Sequence, residues 1–353
     1  FNKCLKLCGI TTVTPSDIIR SLNPLLGCFV KCIDGVYQFY HDFIMEVTTC
    51  VFGKDYPLET IQEADLSFLR KRIRIRIEQN ENNAFFIPVN NDCIVELVNR
   101  LFDGLLSDRF MEVVFNPCLK DDDVIKDMIT KMRSNPAKLK IFTKKKSLKG
   151  YYPSNFWIKN NRETYGAGEE NEKHSRSKID FIFCFNGKKF SPLFALITFD
   201  HNALAQFVIN ALRDLKTDLT GSSFLCAVCC NGSEDLYEDL MKEDPEIFLE
   251  EKWDDDYPIH VALRFKNYLL INRLLDNGAD VNAEQFFRTT PLHLACRNGC
   301  KKIVIDLLDR GANVNAKSSF GKSPLCVACA RGCLLYTSDA ADDMQCVDLG
   351  GRR

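Results

Sequence analysis

The sequence lacks long apolar stretches: no run approaches the ~20 residues that a membrane-spanning helix needs. Neither sign of charge dominates, since 46 Lys and Arg stand against 48 Asp and Glu for a net −2. Such a balance gives no overall field for nucleic acid or for an anionic membrane. The phosphate-cradling pattern GxxxxGK followed by Ser or Thr is missing. Gly321-Lys322-Ser323 ends like it, but residue 316 is Ala and Pro324 follows, so this chain encodes no nucleotide phosphate site. Histidine is scarce, with 5 residues. No Ser/His/Asp set, metal-ligand spacing or pair of carboxylates assembles from what remains, which argues against an enzyme and against a resident cofactor or metal.

What is present is ordinary globular material. The 353 residues are 46% hydrophobic and 27% charged, enough for two or three domains. Seventeen cysteines in so long a chain do not form a disulfide framework. Cys296 and Cys329 sit inside amphipathic patterns, where a reduced thiol behaves as a small hydrophobe. A reducing, cytoplasmic setting follows as the expectation. The chain opens at Phe1 in mid-pattern, so it is expected to be a fragment of a longer protein.

A period of 33 runs through the last third. Thr290-Pro291-Leu292-His293-Leu294-Ala295 is preceded by Pro258-Ile259-His260-Val261-Ala262 and followed by Pro324-Leu325-Cys326-Val327-Ala328, each 33 residues away. Gly278-Ala279-Asp280-Val281-Asn282-Ala283 returns as Gly311-Ala312-Asn313-Val314-Asn315-Ala316, and Leu274-Leu275 as Leu307-Leu308. These residues carry a resemblance to the ankyrin-repeat family. Weaker copies lie upstream at Phe224 through Gly232 and at Ser191 through Leu196. Repeat starts are therefore expected near 192, 224, 258, 291 and 324, the last one truncated.

The residue types have physical reasons. Proline opens the first helices at 192, 258, 291 and 324 because its missing N–H needs no partner there. Gly278 and Gly311 follow the second helix, where a positive φ is cheap for glycine. Leu, Ala and Val at helical spacing bury against the next repeat, since one repeat cannot bury its face alone. His260 and His293 are expected to be structural, as the resemblance places the motif histidine in a hydrogen-bond network at the helix start. The Cys226/Cys229 and Cys326/Cys329 pairs have zinc-like spacing but occupy helix-core positions with no second pair, which favours core over metal. The resemblance puts a protein ligand on the finger tips and concave first helices. The candidate contacts are Phe286, Phe287, Arg288 and Phe320 on the tips, and Arg264, Phe265, Arg297 and Asn298 on the first helices. Phe286 and Phe287 have an alternative, packing on the neighbouring finger.

In the first two thirds, Thr14-Pro15-Ser16-Asp17 reads as a helix start. Residues 28–33 and 36–40 flank Asp34-Gly35, a hairpin signal, and a helix is expected over about 41–52. Helix, two-stranded wing and helix outline a winged helix. Arg20 and Lys31 are too few cations for a phosphate footprint, which disfavours nucleic acid. Phe39-Tyr40-His41-Asp42-Phe43-Ile44-Met45-Glu46 resembles the helix that follows the wing in STAND-type signal-transduction ATPases. Val47 through Pro57 resembles one animal branch of that class, in which ankyrin repeats follow a helical spacer. The resemblance implies an upstream NTPase domain in cis, with ATP or GTP bound there. It also implies a nucleotide-sensing place for His41, whose plainer alternative is helix capping or packing.

Arg70, Arg72, Arg74 and Arg76 alternate with Lys71, Ile73 and Ile75, which as a strand places four Arg on one face. Helices are expected from about 90 to 106, near 107–115 and over 121–133, with Asp121-Asp122-Asp123 as a helix cap or a cation site. Residues 333–353 resemble a translated sequencing adapter, the alternative being a natural acidic tail. Without them 44 basic residues face 44 acidic ones. The expected architecture is mainly α. A winged-helix-like region (1–76), a helical spacer (77–150) and a linker (151–188) precede an ankyrin solenoid (189–332) and a non-native tail (333–353).

Overall fold

The computed structural model describes residues 30–33, 36–39, 50, 52–75, 86–147, 189–242 and 245–330. The expected helix after Thr14, His41 with most of its helix, Arg76, the 151–188 linker and the 333–353 tail lie outside the described residues. The fold is mainly helical, and the chain divides into two units, 1–138 and 139–353.

The first unit opens with a hairpin. Strand β1 (Val30–Ile33) pairs antiparallel with β2 (Val36–Phe39), Ile33 facing Val36 across Asp34-Gly35. Two-residue turns of the Asp-Gly type match the twist of the flanking strands. Two short helices follow, α1 (Pro57–Glu63) and α2 (Leu66–Arg72), then β3 (Ile73–Arg74) and β4 (Ile87–Pro88), which pair in parallel. Helix α3 (Asn91–Leu106) is the hub of this unit. It buries Ile94, Leu97, Val98, Leu101, Phe102 and Leu105, at spacings of three and four that make one apolar stripe. Against it pack α1, α4 (Phe110–Val114) and α5 (Asp122–Arg133). A Cβ on Gly104 would stand 2.5 Å from Val113 Cγ2, so only glycine admits α4 this close. Asp121 caps α5 by accepting the N–H of Asp123 at 3.0 Å.

The arginine run does not form a four-Arg strand face. Asp65 accepts the N–H of Ser67 at 2.9 Å and starts a helix, whose buried Leu66 and Leu69 hold Arg70 and Arg72 in helical, not alternating, positions. Arg70 turns inward, its Nε donating to Glu112 Oε2 at 2.8 Å with side-chain exposures of 4% and 8%. Arg74 is also buried. It donates to the carbonyls of Ile73 at 2.7 Å and Arg70 at 3.2 Å, and its guanidinium lies 4.3 Å from the Phe86 ring. β3 pairs with β4 and Arg70 bonds Glu112, so residues on either side of 76–85 pack together.

The second unit is a stack of helix pairs. A short 3-10 turn (Lys140–Thr143) and the paired β5 (Lys146–Ser147) and β6 (Lys189–Phe190) lead into it. The pairs are α6 (Pro192–Thr198) with α7 (Asn202–Asp214), and α8 (Phe224–Asn231) with α9 (Glu234–Leu240). After the short α10 (Pro245–Glu250) come α11 (Pro258–Phe265) with α12 (Tyr268–Asp276), α13 (Pro291–Asn298) with α14 (Lys301–Asp309), and α15 (Pro324–Ala330). Each first helix packs on the next: α6 on α8, α8 on α11, α11 on α13, α13 on α15. The second helices follow as an outer layer, α7 on α9 and α12 on α14. Arg273 ties that layer together by bonding Glu234 and Glu238 of the preceding pair, each at 2.8 Å. Between α10 and α11 the turn Trp253–Asp256 stands where other repeats carry a long finger, and the Trp253 ring stacks 4.3 Å from that of Phe194.

Removing one partner of a buried ion pair leaves a desolvated charge. Glu112→Ala is therefore expected to destabilise the chain by about 3–5 kcal/mol, read as a lower urea midpoint. A loss under about 1 kcal/mol would place the pair in solvent.

Candidate functional site

The fingers rise between the helix pairs. The first spans the loop after α12, closed where Gln285 N–H donates to Thr289 O at 3.1 Å. The second spans the loop after α14, closed where Ser318 N–H donates to Lys322 O at 3.0 Å. They are joined to each other, since Ser319 N–H donates to Phe287 O at 2.8 Å. Phe286, Phe287 and Phe320 are 61%, 49% and 70% exposed. Their rings nevertheless touch, with centroids 4.1 Å apart for Phe286 and Phe287 and 5.1 Å for Phe287 and Phe320. The rings therefore pack on the neighbouring finger and still face solvent. Arg288 lies at the same tip, bonded to Glu284 at 3.0 and 3.2 Å. Phe287 and Arg288 have φ of 62° and 54°. Side chains there are strained by ~1–2 kcal/mol each, so the surrounding bonds must hold the tip in place.

The first-helix candidates fare differently. Phe265 is 6% exposed and belongs to the core between repeats. Arg264 is ion-paired to the buried carboxylate of Asp256. Arg297 is exposed. Asn298 works inside the array: its Nδ2 donates to Leu263 O of the preceding repeat at 2.6 Å. The same bond recurs from Asn231 to Ile197 O at 2.6 Å and from Asn267 to Cys229 O at 2.5 Å. The accepting carbonyls hold equivalent places in the last turn of α6, α8 and α11, where helix acceptors lose their regular partners; Ile197 O and Leu263 O otherwise receive only the 3.3 Å N–H bonds of Asp200 and Lys266. Asn298, half-exposed, thus serves as a structural seal through its amide nitrogen. Sequence reasoning missed this ladder, although Asn231-Gly232 and Asn298-Gly299 mark it.

The motif histidines part company. His293 Nδ1 accepts the N–H of Thr290 at 3.2 Å, and its Nε2 faces Lys322 O at 3.0 Å. That pattern fixes the Nε2–H tautomer and ties the helix to the second finger. In the previous repeat the capping position is Tyr257, which has no short hydroxyl to offer. The backbone of Thr289 and Ala283 lies toward the His260 ring, yet neither ring nitrogen completes a hydrogen bond. Burial holds this ring neutral, its pKa pushed down to about 3, with Arg264 and Lys252 adding to the effect. Cys226 and Cys229 are buried, and desolvation raises both thiols well above their ordinary range. Cys326 and Cys329 are exposed on α15, whose outer face no further described repeat covers. Among the described residues no group of three or more His, Cys, Asp or Glu is placed to hold a metal. No described helix is long and apolar enough to cross a membrane.

Paired helices stacked along one axis, with proline-led first helices and turn-tipped fingers, define an ankyrin-type repeat array. The ankyrin-repeat family model, in three copies, matches residues 259–337. Ankyrin repeats are present, a non-catalytic architecture that generally binds protein partners. No curated protein matches the chain at a significant level.

Two outcomes are expected. Asn298→Ala leaves the Leu263 carbonyl only the long 3.3 Å bond from Lys266 N–H and costs about 1 kcal/mol, read by urea unfolding, whereas a binding role alone would leave stability unchanged. For His260, the unfolded chain takes up a proton below about pH 6.5 that the folded ring refuses. Its contribution is complete above that pH and is lost as pH falls toward about 3, at up to ~1.4 kcal/mol per pH unit. His260→Leu should flatten the fall in unfolding free energy over this window. An equally steep fall in the variant would show that the ring is solvated.

Proposed function

We propose that this chain is the protein-interaction part of an intracellular, cytoplasmic signalling protein, whose ankyrin array takes a protein ligand on its finger tips. The observation that carries the reading is the Phe286–Phe287–Phe320 cluster: three large rings exposed together, beside Arg288, on fingers bonded to one another. Aromatics and arginine are the residue types that dominate binding energy at protein interfaces. Phe286, Phe287, Arg288 and Phe320 remain the proposed contacts, with Arg297 beside them on the first-helix face. Arg264 is committed to Asp256, and Phe265 and Asn298 to the array itself.

The finer part of the proposal is coupling. Residues 1–76 would form a winged helix and 77–150 a spacer, relaying ligand binding to an upstream STAND-type NTPase with ATP or GTP, near which His41 would sit. The hairpin of residues 30–39 and the Phe39 to Glu46 motif support this reading. The switch would be a shift between states that differ in their contacts with the array. A plain ankyrin adaptor is the alternative. Sequence of the parent transcript upstream of Phe1 separates the two, since only the first requires a P-loop there.

The binding reading is tested with the full chain as bait and quantitative mass spectrometry of what it retains. Phe286→Ser/Phe287→Ser/Phe320→Ser should lower partner recovery by on the order of tenfold or more while leaving the thermal unfolding profile near wild type. Equal recovery would move the site off the finger tips, and no recovery above a control array would end the reading.

A further inference from the structure

Charge at the finger tips narrows the chemistry of the ligand. Lys317 and Lys322 flank Phe320 on the two arms of the second finger, which the Ser318–Lys322 backbone bond draws together at 3.0 Å. Neither lysine side chain is in an ion pair among the described residues. The acids nearby are committed. Glu284 spends both carboxylate oxygens on Arg288, and Asp280 accepts the N–H of Asn282 at 2.8 Å. The three rings thus share the fingers with two exposed lysines that no carboxylate among the described residues pairs. The site is also built in advance. Phe287 O accepts from Ser319, and Lys322 O accepts from His293 Nε2 at 3.0 Å. A ligand need not order the fingers, which removes one cost of binding.

We infer that the two finger tips take an acidic peptide segment of a partner protein, one that carries an aliphatic or aromatic anchor beside its carboxylates. This rests on the protein-binding reading above. The anchor lies on the Phe286–Phe287–Phe320 rings, and the carboxylates answer Lys317 and Lys322. Complementary charge of this kind speeds encounter and excludes basic competitors. An anionic lipid surface is the other ligand that aromatics and lysines suit. It fits less well, because lipid-binding clusters carry about 4–8 basic residues and here Glu284 stands beside the rings.

The test uses the full chain and a phage-displayed library of random peptides of ~12 residues, long enough to cross both tips. Selected peptides should combine Asp or Glu with Leu, Phe or Trp. Their affinity should fall on the order of tenfold in Lys317→Glu/Lys322→Glu and be lost in the triple phenylalanine variant. All five positions are exposed on loops, and unchanged circular dichroism and melting would show that each variant folds. Neutral or basic peptides, or acidic ones indifferent to the lysine reversal, would overturn the acidic ligand while leaving protein binding at the tips intact. Peptides indifferent to the phenylalanines, or an empty selection, would overturn both. Phenylalanine-dependent binding to phosphatidylserine vesicles without peptide selection would assign the tips to a membrane.

Discussion

A helix ends in carbonyls that nothing inside it can satisfy, and a stack of short helices multiplies those ends. At three of these ends the second unit adds one device, a side-chain amide from the next repeat. Asn231 serves Ile197, Asn267 serves Cys229 and Asn298 serves Leu263. The bond needs the next repeat to exist, so it couples neighbours as the apolar packing of α6, α8, α11 and α13 does. In the third repeat Phe265 occupies the usual asparagine position, and Asn267 supplies the amide from two residues further on. The position matters less than the acceptor it must reach.

The same logic fixes the fingers. Their tips are loops, which on their own would be mobile. Here His293 holds Lys322 O from the helix below, and Ser319 holds Phe287 O from the finger beside it. Those bonds explain how Phe287 and Arg288 stay in left-handed backbone conformations that their side chains disfavour. Where the fastening is absent the finger is absent too: before α11 a tight turn at Trp253–Asp256 takes its place and its tryptophan goes inward. Only the later fingers present aromatic rings to solvent.

Much of this was legible in the sequence because it is periodic. The first helices at Pro258, Pro291 and Pro324 begin 33 residues apart, and those at Pro192 and Phe224 begin where the weaker upstream copies lie. The Asp34-Gly35 hairpin and the helix from Asn91 to Leu106 were equally local signals. What escaped was settled by distant partners. Alternation at Arg70 to Arg76 looked like a strand, but the Asp65 cap and the leucines after it made a helix. The place of Arg70 depends on Glu112, 42 residues away. His260 and His293 share a motif position, and one differing neighbour, Tyr257 against Thr290, deprives the first ring of the hydroxyl that meets Nδ1 of the second. Among the site candidates, exposure sorted residues that spacing alone made equivalent: Phe265 and Asn298 turned into the array, Phe286, Phe287 and Phe320 out of it.

That sorting bears on what the array does. Repeats whose side chains are spent on holding the next repeat have few left for a ligand, and the inner face here is heavily spent. Arg264 answers Asp256, Asn298 answers a carbonyl, and the cysteines of α8 are closed off from solvent. The fingers differ because their fastening is done by backbone groups, by His293 and by Asn282, whose amide donates to Gly311 O and accepts from Asn313 N–H. Glu284, Arg288, Asp280 and Asn282 are bonded within the fingers, and Lys317, Lys322 and the three phenylalanines are the exposed residues this arrangement leaves over. A protein that must be rigid and must also bind gains by dividing the work in this way, main chain for the frame and side chains for the partner.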